Sequence, residues 1–156
     1  MTPNPSPSPA PIMSPTNIPS SDRRPALVLL PPARPTTVPS VLLAAARILT
    51  ANGLWQGDYV PDPFDRHTTT PHASRPMNIV AAIRCAATGN PHLSSTLGDT
   101  AVGFVAMSLD GGPDFMNISG FDLEKHVDGW GDEPGRTTAE AVALLEYLAT
   151  NSERAA

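Results

Sequence analysis

Apolar residues recur along this chain at helical rather than strand spacing. Val38, Leu42, Ala45, Ala46 and Leu49 fall on one side at 100° per residue, with Arg47 and Ala51 opposite, which predicts a helix over 39–52. Gly53 is its expected stop, in a left-handed cap that folds Leu54 back on Leu49. A second helix is predicted over 76–88, with Pro76 in its first turn, an apolar side of Ile79, Val80, Ile83, Ala86 and Ala87, and Gly89 and Pro91 behind it. Leu97, Ala101, Phe104, Val105, Ser108 and Leu109 keep the same period over 96–110. Gly98 and Gly103 weaken that helix, and the run Val102, Phe104, Val105, Met107 also suits a buried strand. A short helical turn is expected around Phe121 to Val127. The last helix is the clearest, because Thr137 and Glu140 have capping-box spacing ahead of a stripe of Ala141, Val142, Leu145, Leu148 and Ala149. It is expected to pack on the first two helices.

These elements predict a mainly α fold, a small helical domain of about four helices that admits a short strand pair near Trp55 and Tyr59. Twelve of the 19 prolines lie in residues 1–39, which contain no glycine. Such a segment favours extended chain over helix or sheet. The expected organisation is therefore a disordered Pro/Ser/Thr-rich tail over 1–37, one helical domain over 38–151, and a frayed C-terminus over 152–156. The apolar run Ala26-Leu27-Val28-Leu29-Leu30, hemmed by Pro25, Pro31 and Pro32, is too short for an export signal or a membrane span.

Charge narrows the function classes. The first 39 residues hold three arginines and one aspartate, leaving 7 basic and 14 acidic residues beyond them. A domain with that balance and a single lysine, Lys125, repels phosphate backbones, so the folded part is expected to bind no nucleic acid. Cys85 stands alone, which excludes an intramolecular disulfide and fits a reduced cytoplasm. The oligomeric state is left open.

Candidate chemistry gathers in two segments. The connection 54–74 carries Trp55, Asp58, Tyr59, Asp62, Asp65, His67 and His72, but their spacing matches neither a zinc helix face nor a calcium loop, and no metal or cofactor is assigned. Trp55 and Tyr59 are expected to anchor the loop on the helices, with recognition as the alternative. The second segment is Trp130-Gly131-Asp132-Glu133-Pro134-Gly135-Arg136-Thr137. Arg136 there has Asp132, Glu133 and Asp128 within reach, and an ion pair holding the turn is the expected role, with capture of an anion at the helix start as the alternative. His126 lies close by and is expected to be a surface or packing histidine rather than a general base.

Three stretches together, Gly53-Leu54-Trp55-Gln56-Gly57, 77–89 and the 130–137 turn with Glu140-Ala141-Val142, resemble an uncharacterised family of small actinobacterial and phage domains of unknown function. That family carries a Trp-Asn-Asp-x-Pro-Gly-Arg-Thr turn before its last helix; this chain has Gly131 at the asparagine position. The resemblance spans roughly residues 40–150 and implies a small, mainly helical cytoplasmic domain, with no reaction attached.

The first expectation for function is a non-enzymatic domain that binds another protein, in keeping with the acidic surface and the absence of a catalytic constellation. The alternative is a small-ligand- or metal-binding domain, or an enzyme, with a pocket between the 54–74 loop and the 128–137 turn. Trp55, Asp58, Tyr59, His67, Trp130, Asp132 and Arg136 are its candidate binding residues.

Overall fold

The computed structural model describes residues 1, 4–5, 7–13, 33–110 and 119–154. The chain divides into two units, Met1–Pro31 and Pro32–Ala156, and the second holds every helix of the described residues. The Ala26 to Leu30 run and most of the proline-rich tail lie outside the described residues.

The described residues of this second unit form five α-helices: α1 Val38–Asn52, α2 Ile79–Thr88, α3 Thr96–Ser108, α4 Gly120–Gly131 and α5 Thr138–Arg154. A three-residue 3-10 turn, His72–Ser74, precedes α2. No strand occurs among the described residues; in place of the strand pair that the sequence admits, one parallel bridge joins Leu54 to Met77.

Each helix starts on a side chain that satisfies its free N–H groups. Thr37 and Ser40 cap α1 reciprocally, as Ser119 and Asp122 do α4, and Asn78 Oδ1 accepts from Ala81 N at 2.8 Å to begin α2. The expected box on α5 is present: Thr137 N donates to Glu140 Oε2 at 2.8 Å and Glu140 N to Thr137 Oγ1 at 3.2 Å. The start of α2 is corrected from Pro76 to Ile79, because Met77 is held in the bridge and Asn78 takes the cap.

The end of α1 also differs from expectation. Gly53 has φ 92° and ψ 156°, so its N–H closes on Leu49 O at 2.8 Å while the chain leaves extended into the bridge instead of folding Leu54 back. Gly89, with φ 84° and ψ 0°, is the left-handed cap expected after α2.

The core centres on α2, whose first seven residues, Ile79 to Cys85, are all buried. This differs from the one-sided stripe that the sequence predicts. The small side chains of Ala81, Ala82 and Cys85 let neighbouring helices close around it, and α1, α3 and α4 all contact it. Cys85 is 8 % exposed and burial pushes its thiol pKa up, so it behaves as a small hydrophobe.

Residues 96–108 settle as helix. Of the two glycines that weaken the sequence pattern, Gly98 sits where a Cβ would lie a tight 3.1 Å from Ser95 Oγ, whereas one on Gly103 would meet Leu123 Cδ1 at an ordinary contact distance of 3.6 Å. The buried side of this helix is Ala101, Val102, Val105 and Ala106, turned slightly from the expected stripe. The turn expected near Phe121 is instead the twelve-residue α4. Ala141, Leu145, Leu148 and Ala149 bury the inner side of α5, which packs chiefly on α1 and makes a smaller contact on α3. Fully buried Leu42, Leu49, Ile83 and Leu145 each contribute about 1.5–3 kcal/mol by leaving water.

Candidate functional site

The extended chain after Gly53 and the turn before α5 are stitched together. Leu54 N donates to Thr138 Oγ1 at 2.9 Å, and Gly57 N donates to Asp132 Oδ1 at 2.8 Å. Gln56 Nε2 donates to Gly131 O and Glu133 O at 3.1 and 2.9 Å. Arg136 closes the turn from within: its guanidinium lies 3.7 Å from the Trp130 ring centroid, its Nε donates to Trp130 O at 3.1 Å, and it pairs with Glu133 and Glu140. Its charged partners are Glu133 in the turn and Glu140 in the first turn of α5. The expected ion pair is thus present, and Asp132 is spent on Gly57.

The long 54–74 connection is ordered by two side chains. The Asp62 carboxylate accepts from Arg66 N, His67 N and Thr68 N at 2.7–2.9 Å, and these bonds, His67 N foremost, hold its pKa below the usual carboxylate range. Arg75 is only 3 % exposed and donates to the carbonyls of Pro61, Asp62, Thr68 and Thr70 and to Asp65. Asp65 also accepts from His72 Nε2 at 3.0 Å, and Arg75 first, then His72, hold its carboxyl low. His72 Nδ1 lies 2.6 Å from His92 Nε2; with a neutral His72 donating its one N–H, on Nε2, to Asp65, its Nδ1 accepts from His92. The relay ties the long loop to the α2–α3 connection. Burial first, then the neighbouring His72, Arg84 and Arg75, lower the His92 pKa.

Between this loop and α4 lies a pocket of about 440 Å³, lined by Gly57, Asp58, Tyr59, Pro63, Phe64, Asn78, His92 and Asp128. Tyr59 forms one wall. Its hydroxyl donates to Glu124 Oε2 at 3.1 Å, its ring meets His92 edge-on at 6.0 Å, and the Arg84 guanidinium sits 5.0 Å from its centroid. Arg84, 6 % exposed, pairs with Glu124. Asp128 pairs with no such cation among the described residues. Among the described residues its carboxyl accepts only from Asn78 Nδ2, at 3.0 Å, and burial, with Asp132 and Glu124 nearby, pushes its pKa up to about 7. A carboxyl poised there can hold a proton or exchange it for a ligand's positive charge.

A family model for a family of unknown function matches residues 33–151. The chain belongs to this family, DUF6197. Neither a curated protein nor a solved structure matches it. The matched span of this DUF6197 member takes in all five helices except the last residues of α5, and with them both the stitched turn and the pocket. Among its described residues no three His, Cys, Asp or Glu side chains gather as for a metal ion, and no helix is long and apolar enough to cross a membrane.

The candidate residues of the DUF6197 domain separate into groups. Asp58 and Tyr59 line the 440 Å³ pocket. Trp55 and Arg136 line a second depression, of about 510 Å³, with Leu54, Gln56, Thr137 and Thr138. Trp130 and Asp132 serve the turn, and Trp130 also lines a hollow with His126 and Glu133. His67 offers its backbone N–H to Asp62. Trp55, at 39 % exposed, is not an interior anchor, whereas Tyr59 is half-buried. Sequence reasoning passes over Asn78, Arg84, His92, Glu124 and the pocket role of Asp128. Arg84 has one visible signal, as the lone charge in the run Ile79 to Ala87.

Proposed function

We propose that this domain binds a small molecule in the pocket between residues 57–64 and α4. The observation that carries the reading is the Asp128 carboxyl, drawn out of water against two other acids with an amide as its only protein donor among the described residues, at the edge of a concavity with aromatic walls. Asp58, Tyr59, Phe64, Asn78, His92 and Asp128 are its contact residues. Trp130, Asp132 and Arg136 act as frame, since their polar groups are matched within the turn or against Gly57. Binding rather than turnover, in a cytoplasmic setting, is the reading. A fragment screen by amide-resolved NMR tests it: hits are expected to shift Asp58, Tyr59, Asn78, His92 and Asp128 together, and a screen whose hits all map elsewhere contradicts it.

A second reading, docking on another protein, is favoured by Trp55. A tryptophan left 39 % exposed beside a depression is the residue type that anchors interfaces. Trp55→Ala then abolishes partner capture from host extract while leaving fragment binding in the Asp128 pocket intact.

A further inference from the structure

The chemistry of the pocket wall selects a class of ligand. Two carboxylic acids, Asp58 and Asp128, line it, and among the described residues no lysine or arginine does. The guanidinium behind the wall, that of Arg84, is bound to Glu124 and covered by the Tyr59 ring. Tyr59, Phe64 and His92 supply aromatic surface. Phe64 is 76 % exposed and already holds a guanidinium, that of Arg66, 5.4 Å from its ring centroid. Aromatic faces beside a carboxylate attract ammonium and guanidinium groups, most strongly where water is partly excluded.

We propose that this pocket recognises a small organic cation, a protonated amine or amidine carried on an apolar body, with Asp128 as its charge partner and Tyr59 and Phe64 as its walls. The inference rests on the small-molecule reading above and adds the class of ligand. An anion meets Asp58, Asp128 and, behind them, Glu124 and Asp132, with no cation among the described lining residues to offset them. A neutral ligand leaves that crowding unrelieved. A cation relieves it, and a volume of about 440 Å³ lies in the range of small-ligand sites.

The groups facing Asp128 fix how binding depends on pH. Glu124 and Asp132 come from α4 and its end, Asn78 and Arg84 from the start and body of α2, and Asp58, Tyr59 and His92 from the loops. Because the Asp128 carboxyl titrates at about 7, a cation that pairs with it displaces its proton. Affinity for a permanently charged ligand therefore rises between about pH 6 and pH 8.

The test uses the full chain and four probes of similar shape: benzylamine, benzamidine, benzyl alcohol and benzoate, each titrated by amide-resolved NMR at pH 6 and pH 8. Benzylamine and benzamidine are expected to shift the amides of Asp58, Tyr59, Asn78 and Asp128 and to bind at least about tenfold more tightly than benzyl alcohol, a difference of about 1.4 kcal/mol. Benzamidine is expected to tighten at pH 8. Asp128→Asn, which keeps an acceptor for Asn78, is expected to erase both the preference and the pH dependence with the helical circular dichroism unchanged. If benzyl alcohol or benzoate occupies the same residues as tightly, the pocket reading stands and the cation class is overturned. If no probe shifts these residues, both fall.

Discussion

The two polar centres of this domain treat charge in opposite ways. Around Arg136 the cation is met by Glu133, Glu140 and the Trp130 ring, and Asp132 finds the Gly57 N–H. Around Asp128 the described residues place three acids, Asp128, Glu124 and Asp132, and one engaged cation, Arg84. The first arrangement is satisfied and holds the extended chain to the last helix. The second keeps a carboxyl in surroundings that disfavour its charge, which costs stability unless something else is gained. Such unresolved polar groups are where binding sites are found. The most conspicuous motif in the sequence thus has its charges matched, and the crowded carboxyl lies beside it.

The largest expected effect comes from removing the one cation of the crowded centre. Arg84→Ala leaves the half-buried Glu124 without its cation next to Asp128 and is expected to lower stability by about 3 kcal/mol in urea unfolding. A loss under about 1 kcal/mol would mean that Glu124 swings out to water. The matched centre responds less: Arg136→Ala leaves Glu133 and Glu140 able to reach solvent and should cost about 1–3 kcal/mol, again read from urea unfolding. An equal loss at both sites would erase the contrast between them.

Asp128→Asn should move stability the other way. The folded pKa of about 7 lies above the unfolded value near 3.8, so the folded state binds the extra proton between these values. The contribution of Asp128 to stability is therefore full below pH 4, declines as pH rises from about 4 to 7, and is flat above. Since the pocket admits water to the carboxyl, the effect is reduced from its full-burial value, and Asp128→Asn is expected to stabilise by about 1–2 kcal/mol at pH 8 and by little at pH 4. Thermal unfolding at the two pH values checks it; a variant less stable than wild type at pH 8 removes the basis for calling this carboxyl strained. The smallest change, Thr137→Ala, should cost about 1 kcal/mol by uncapping α5, and amide exchange should quicken in its first turn alone.

The range of each interaction decides how far it is legible in the sequence. The Thr137 and Glu140 box, the Gly89 cap and the stripes of α1 and α5 involve residues within a few positions of one another, and local pattern reveals them. The encirclement of α2 is not readable from periodicity, because a helix buried on every side has no stripe, although its alanines and single arginine hint at it. The full length of α4 is hidden by its mixed composition, with Glu124, Lys125 and Asp128 breaking any apolar run. The pocket depends on pairings far apart in the chain, Asn78 with Asp128 and His72 with His92, for which no local signal exists. Asp58 and Tyr59 stand out by residue type and do line it; Asn78 and His92 have equally suitable chemistry but lie outside the two segments where polar residues cluster.

The central claim, that the domain holds an unresolved carboxyl at its candidate site, is tested most directly by following the side-chain carboxyl carbon of Asp128 with ¹³C NMR from pH 3 to pH 9. The account predicts a midpoint near 7 that falls when benzamidine is added. A midpoint near 4, unmoved by the ligand, would show Asp128 to be an ordinary solvated carboxylate and would contradict the account.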